Sequence, residues 1–280
     1  MRHDRLNRIF SVPSGSVPRI FGILNLSADS FSGNGSVEDP VPAALQMLED
    51  GADAIDIGAE STRPGAKEIP VSEEINRLVP VIGALRAEAP DCVISVDTRK
   101  ALAAEAALSA GADMINDVSG LVFDPAMAET VARYNGGLIL MHMRGTPETM
   151  QLDLEYEDLT GEINAFFARQ IELAVSAGID RRFIALDPGV GFAKSAEQNF
   201  ELIRDAEKFR CHDLPLFYGI SRKSFLQKIR QDARDRDFCT GGVLAYLTAK
   251  RIEFVRVHNV RLAHDVMAAY ALCECGGKRL

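Results

Sequence analysis

Eight short runs rich in β-branched and other apolar residues recur along the chain, each separated from the next by a longer stretch with helical spacing. The runs span residues 19–25, 54–58, 92–97, 114–116, 137–142, 183–187, 216–220 and 254–258. Helical candidates between them include 72–89, 100–110, 159–177, 197–209 and 240–251. In the first of these, Ser72 precedes Ile75, Leu78, Val79 and Ile82. That is the stripe of an amphipathic helix with a capping hydroxyl at its start. Gly51, Gly111 and Gly178 follow helical stretches, where a glycine ends the helix before the next strand. Strands alternating with crossover helices pair in parallel, either in an open doubly wound sheet or in a closed barrel.

Count and length favour the barrel. The chain has 280 residues, and one (β/α)₈ barrel needs roughly 250. No charge block, proline-rich linker or shift in composition divides it, so a single barrel domain is expected over residues 19–280, preceded by a flexible segment, 1–18. The polar residues point the same way. In chain order, the strand ends carry Asn25, Glu60-Ser-Thr62-Arg63, Asp97, Asn116, His142, Asp187, Ser221-Arg-Lys223 and Arg256-Val-His258. In a parallel barrel all these ends meet at one mouth, where barrel active sites are built. An open sheet gathers such residues only at its switch point.

Composition narrows the partners. A formal net charge of −9 repels nucleic acid and anionic membrane surfaces, while an anionic small molecule in a local basic pocket stays compatible. The five cysteines, Cys92, Cys211, Cys239, Cys273 and Cys275, are odd in number and scattered. They form no disulfide framework and suit a reducing compartment. The Cys273-Glu-Cys275 pair has no second pair nearby to complete a metal site, which favours inert thiols. The N-terminal stretch lacks a signal-peptide apolar core, and no run approaches the roughly 18 apolar residues of a bilayer span. A cytoplasmic protein is expected.

Three segments carry most of the chemistry. They are Gly22-Ile-Leu-Asn25-Leu-Ser-Ala-Asp29-Ser-Phe-Ser32, Asp56-Ile-Gly-Ala-Glu-Ser-Thr62-Arg63-Pro-Gly65 and Tyr218-Gly-Ile-Ser221-Arg-Lys223-Ser224. Five more are Ser95-Val-Asp97-Thr, Asn116-Asp-Val-Ser-Gly120, Met141-His-Met, Asp187-Pro-Gly-Val-Gly-Phe192 and Arg256-Val-His258. In this order they closely resemble the dihydropteroate synthase family, from about Arg19 to about Val266. The resemblance implies a (β/α)₈ barrel that joins 6-hydroxymethyl-7,8-dihydropterin diphosphate to p-aminobenzoate and releases diphosphate. It also implies Mg²⁺ and a homodimer.

The residue types suit those substrates. Asp97, Asp187 and Asn116 can pair the donor and acceptor edges of a pterin, with Lys223 on its acceptor side. An Asp before a helix also serves as an N-cap, but the company of Asp97 favours the pterin. The resemblance assigns the diphosphate to Asn25, Thr62, Arg256 and His258, with Asn25 also reaching Mg²⁺. Arg256 and His258 alternate along one strand and so share a face. Ser221 is expected to open a helix whose N–H groups take the p-aminobenzoate carboxylate. By the same resemblance, Phe192 and Pro64 enclose the aromatic ring, Arg63 adds positive charge, and Asp29 stands near the developing cation. His142 reads as a packing residue or as one that supports the site from behind.

The chain departs from the family pattern at several points. Ser27-Ala28 replaces Thr-Pro, which loosens the first loop, and Gly33-Asn-Gly35 replaces Asp-Gly-Gly. Ala193 stands for a usual Gly, Gln198 for His and Asn259 for a frequent Asp. The nearest rival, a pterin-binding methyltransferase acting with a corrinoid protein, has no use for Thr62-Arg63 or Arg256-Val-His258. A catalytically silent relative is expected to show damage at Asn25, Arg63 or Lys223, and all three are intact.

Overall fold

The period-two alternation of the eight runs is realised as a barrel whose inner face changes from apolar at the base to polar at the mouth. The computed structural model describes residues 1–13, 15–26, 39–63, 65–233 and 235–276. The strands are β1 (Arg19–Asn25), β2 (Ala54–Gly58), β3 (Val93–Asp97), β4 (Met114–Asp117), β5 (Gly137–Met141), β6 (Ile184–Asp187), β7 (Phe217–Gly219) and β8 (Phe254–Val257). All pair in parallel in the order β6-β5-β4-β3-β2-β1-β8-β7. A bridge between Leu186 and Leu216 joins β6 to β7, and Leu186 N donates to Pro215 O at 2.9 Å. The expected (β/α)₈ barrel is what forms.

Between the strands lie α2 (Pro40–Glu49), α3 (Val71–Glu88), α4 (Ala101–Ala110), α5 (Met127–Arg133), α6 (Leu159–Ser176), α7 (Ala196–Arg204) and α8 (Arg236–Ala249), with α9 (Val260–Glu274) after β8. Gly111 ends α4 at φ 117°, the left-handed conformation expected of a terminal glycine. The helix expected over 197–209 is broken. It ends at Arg204, and Ala206–His212 continues as a 3₁₀ helix. The Ser72 cap does not form either. The N-cap of α3 is Pro70, without a side-chain bond, and Ser72 lies inside the first turn.

The first residues correct the expectation of a flexible segment. Helix α1 (Arg2–Phe10) closes the base of the barrel, with Leu6 and Ile9 buried among Phe21, Ala54, Val93, Met114, Ile139, Phe217 and Phe254. Phe21 packs edge-on against Phe217 and Phe254 at 5.1 and 5.5 Å. Arg2 donates to the carbonyls of Leu108, Ala112 and Tyr134 at 2.5, 2.9 and 2.6 Å. Arg5 pairs with the buried Asp113 at 2.8 Å. The charged side chains that made this segment read as an appendage cap backbone carbonyls around the base, and its apolar stripe fills the barrel floor.

Two residues further along five of the eight strands, the inner face turns polar. Asp56 follows Ala54, Ser95 follows Val93, Asn116 follows Met114, Asp187 follows Ala185 and Arg256 follows Phe254. Residues between them point outward to the helices: a Cβ on Gly22 would meet Met47 Sδ at 2.9 Å and Val260 Cγ2 at 3.2 Å.

Candidate active site

The floor of the mouth is a layer of buried polar side chains. Asp56, Ser95, Asp97, Asn116 and Asp187 are each at most 5% exposed. Arg256 spans two of the carboxylates: its Nε donates to Asp56 Oδ2, and one terminal nitrogen reaches Asp97 Oδ2 at 2.9 Å. Asn116 Nδ2 donates to Asp56 Oδ2 at 3.3 Å. Yet Asp56 Oδ1, Ser95 Oγ, Asp97 Oδ1 and Asn116 Oδ1 are buried with no partner. A buried polar atom left bare costs about 1–3 kcal/mol, and four in one layer mark a surface shaped for a ligand's donors.

Burial also sets the protonation of this layer. Desolvation pushes the Asp97 carboxyl up, against the pull of Arg256. It pushes Asp187 up as well, although the Gly189 N–H, donating to Asp187 Oδ1 at 2.8 Å, and Lys223 both favour the anion. Lys223 is pushed down by the same loss of solvent, partly offset by Asp187.

One wall is made by Lys223 and Phe192. The ammonium lies 4.0 Å from the centre of the Phe192 ring, a cation–π contact. Gly191 makes room for it. At φ 84°, a Cβ on Gly191 would stand 2.9 Å from Lys223 Cδ. The neighbouring Arg222 is turned away: its backbone is left-handed (φ 58°), and its guanidinium pairs with Asp237 at 2.7 and 2.8 Å.

The rim differs in part from expectation. Ser221 is not a helix cap. The segment behind it is a 3₁₀ helix, Ser224–Lys228, whose N-cap is Lys223. Ser221 Oγ instead accepts from His258 N at 3.1 Å and faces His258 Nδ1 at 3.0 Å. Burial, with Arg222 and Arg256 nearby, pushes the His258 imidazole down to about 3, so it is neutral. Arg256, expected at the diphosphate, is turned to Asp56 and Asp97. Asn25 is exposed at the mouth end of β1. Thr62 is partly exposed and Arg63 exposed on the loop after β2.

That loop is held from below by ions. Glu60 accepts from Arg99 Nε at 3.2 Å, Lys100 Nζ at 2.6 Å and Ile69 N at 3.0 Å. Lys100 also pairs with the buried Glu74 at 3.1 Å. Gly65 N donates to Pro147 O at 3.0 Å, tying the loop to the one after β5. His142, expected to pack, is buried edge-on to Phe166 at 5.0 Å. Asp29 and Pro64 lie outside the described residues.

Two residues of this region escaped the sequence reading. Asp56 carried no assignment, although its two-residue spacing from Gly58 at the strand end was the signal that it faces inward. Lys194, buried behind Phe192, had no signal beyond its place after a glycine-rich turn. Among the described residues no three His, Cys, Asp or Glu side chains gather as a metal-binding group. No described helix is long and apolar enough to cross a membrane.

Comparison with known proteins decides the family. The family described as pterin binding enzyme matches residues 21–258. A curated dihydropteroate synthase from Synechocystis is 45% identical over 246 residues, covering 86% of this chain and 85% of that protein. The crystal structure of the Yersinia pestis dihydropteroate synthase in complex with a sulfonamide drug superposes with a TM-score of 0.88 at 37% identity, over 94% of this chain and 96% of that one. The Xanthomonas albilineans synthase, solved with 4-aminobenzoic acid, gives 0.85 at 35% identity, over 93% and 94%. The chain belongs to the dihydropteroate synthase family of pterin-binding enzymes.

Three departures from the dihydropteroate synthase pattern have structural accounts. Gln198 completes a capping box at the start of α7, with Oε1 accepting from Ser195 N at 2.8 Å. Asn259 caps α9 through Leu262 N at 3.0 Å and also donates to Asp237 at 3.2 Å. Ala193 is buried in a left-handed conformation (φ 49°) that glycine adopts more easily, a local strain of about 1 kcal/mol or more. The Ser27-Ala28 and Gly33-Asn-Gly35 departures fall outside the described residues.

Proposed function

We infer that this protein condenses 6-hydroxymethyl-7,8-dihydropterin diphosphate with p-aminobenzoate, giving 7,8-dihydropteroate and diphosphate in folate biosynthesis. The observation that carries the reading is the layer of bare buried acceptors, Asp56 Oδ1, Asp97 Oδ1 and Asn116 Oδ1, beneath Lys223. A pterin presents amino and ring N–H donors to such a layer and turns acceptors toward an ammonium.

Chemistry follows from where charge moves. The bond from the exocyclic carbon to the diphosphate oxygen breaks, and its electron pair leaves with diphosphate. Positive charge left on the carbon spreads into the conjugated ring, beside the carboxylates of Asp97 and Asp187. The arylamine nitrogen then forms the new C–N bond and loses a proton. A neutral aniline is already nucleophilic, so orientation and fixed charges supply most of the acceleration. Phe192 offers a face to the aromatic ring, with Ser221 and Arg63 toward its carboxylate. Thr62 and His258 remain for the diphosphate, while Arg256 holds Asp56 and Asp97 in the floor beneath the ring.

The mouth fits a magnesium ion. Asn25, exposed at the mouth end of β1, presents a hard amide oxygen, Oδ1, of the kind such an ion takes. Mg²⁺ takes few protein ligands when phosphate oxygens and water complete its shell. Bound by Asn25, it supplies Lewis-acid charge to the diphosphate.

Incubation with the pterin diphosphate, Mg²⁺ and labelled p-aminobenzoate should yield labelled dihydropteroate, and a sulfonamide should compete with p-aminobenzoate. No labelled product under these conditions overturns the reading. The same reading takes the protein to be cytoplasmic and a homodimer. Exposed Phe200, Tyr246 and Leu272 on the outer helices offer apolar surface for a second copy. Light scattering at micromolar protein should give the dimer mass, and a monomer mass overturns that part.

A further inference from the structure

Lys194 is 3% exposed and stands behind the pocket rather than in it. Its ammonium makes three hydrogen bonds, all to neutral partners: Phe192 O at 2.9 Å, His142 Nδ1 at 3.1 Å and His142 O at 3.5 Å. Among the described residues it forms no ion pair, and the carboxylate whose charge it feels most is Asp187. A buried cation without a direct counter-ion is costly, and bracing alone needs only neutral donors.

Its surroundings show what the charge can do. The turn from Asp187 to Phe192 is folded tightly onto the end of β5: a Cβ on Gly189 would stand 2.0 Å from His142 O and 3.3 Å from Lys194 Nζ. Asp187 begins that turn, and Phe192, which carries Lys223 on its ring, ends it. Lys194 therefore closes the turn that presents both a pterin acceptor and the wall.

We propose that Lys194 is a positioning residue of the reaction: it fastens the Asp187–Phe192 turn to β5, and its charge adds to the Gly189 N–H and Lys223 in favouring the ionised Asp187 that accepts from the pterin. The proposal rests on the pterin reading of Asp187. The groups facing Lys194 are Asp187 from β6, His142 and Arg144 from the end of β5, Lys223 from beyond β7, and the Tyr156 ring at 6.0 Å from the segment before α6. His142 is held far below its usual range by burial and by Lys194, so the ring is neutral, and the ammonium, which can only donate, makes Nδ1 the accepting nitrogen. Burial, with Arg144 and Lys223, pushes Lys194 itself down to about 7.

The sign of the effect follows. Removing the cation raises the Asp187 pKa, so the loss is largest at acid pH and vanishes where Asp187 is ionised regardless. The test is kcat/KM for the pterin diphosphate across about pH 5.5 to 8.5 in the wild type, Lys194→Met and Lys194→Arg, with a melting curve for each. Lys194→Met should move the acid limb upward by about one pH unit, a roughly fivefold loss at about pH 6 that approaches tenfold below it and fades by about pH 8.5. Lys194→Arg should keep the wild-type limb, and the KM for p-aminobenzoate should change little. A defect equal at every pH, or an acid limb displaced as far in Lys194→Arg as in Lys194→Met, overturns the proposal. If Lys194→Met does not fold, Lys194→Gln, neutral but still a donor, should show the same shift, and an unmoved limb overturns it. A wild type without turnover overturns the reaction itself and this role with it.

Discussion

Arg256 donates to Asp97 Oδ2 at 2.9 Å across the interior of the barrel, joining the eighth strand to the third. The same guanidinium bonds Asp56, so one cation serves two buried carboxylates and leaves each with a bare oxygen. The floor is held in place by this bridge without being satisfied by it, which is the condition of a site built ahead of its ligand.

The bare oxygen of Asp97 sets the first expectation. Asp97→Asn keeps the shape but can turn an N–H toward a donor of the pterin. A charged hydrogen bond is worth about 1.5–3 kcal/mol, so affinity for the pterin diphosphate should fall roughly 10- to 100-fold. Calorimetric titration with the fold checked by circular dichroism measures this, and unchanged affinity means the pocket is misassigned.

Acidity gives the second. Desolvation raises Asp187 to about 6, above the usual carboxylate range, so it is an anion only when the pH exceeds that value. As pH falls through about 6, it takes up a proton and ceases to accept from the pterin. The kcat/KM for the pterin diphosphate should therefore fall on the acid side by about tenfold per pH unit for each of Asp187 and Asp97, whose carboxyl burial also raises, to about 7. A profile flat from pH 7 to about pH 5 rules out the anion as the required form.

Magnesium dependence is the third. Chelation with EDTA should suppress turnover, and excess Mg²⁺ should restore it. Asn25→Ala should raise the Mg²⁺ concentration needed for half-maximal rate by about tenfold, the loss of one ligand interaction of roughly 1.4 kcal/mol. Full activity in exhaustively chelated buffer counts against any role for the ion.

Two cationic residues should separate the substrates. Arg63 is exposed on a loop, whereas Lys223 is packed on Phe192 beside the carboxylates. Arg63→Ala should mainly raise the KM for p-aminobenzoate, and the sulfonamide competition constant with it. Lys223→Ala should lower kcat by about 10²–10³-fold, the usual loss when a charge-stabilising donor is removed. p-Aminobenzoate should bind the free protein weakly and bind better once diphosphate is present. Steady-state kinetics and a titration with and without diphosphate decide this, and near-normal turnover in Lys223→Ala refutes it.

The base should matter for stability alone. Leu6 is fully buried on the barrel floor, so Leu6→Ala should cost about 2–5 kcal/mol. That lowers the melting temperature by several degrees, at about 2–4 °C per kcal/mol for a chain of this size. kcat should be unchanged, because Leu6 lies at the end opposite the mouth. A lowered kcat with an unchanged melting temperature contradicts the plug.

The sequence determined the barrel and most of the mouth. Period-two alternation in short runs leaves each strand one inner face, and helices between the strands force parallel pairing, so Asp97, Asn116, Asp187 and Arg256 had to converge. Only the tertiary structure decided what each then touches. Arg256 turns to Asp56 and Asp97 because two carboxylates on distant strands face it across the interior, which no local pattern encodes. Ser221 bonds His258 rather than capping a helix because Arg222 turns the chain through a left-handed residue. The first ten residues were unreadable as a plug, since a charged, short amphipathic helix becomes structural only when a barrel floor exists to receive Leu6 and Ile9. Lys194 was invisible for the same reason. A lysine's role depends on what buries it, and His142, Phe192 and Asp187 come around it only through the closed sheet.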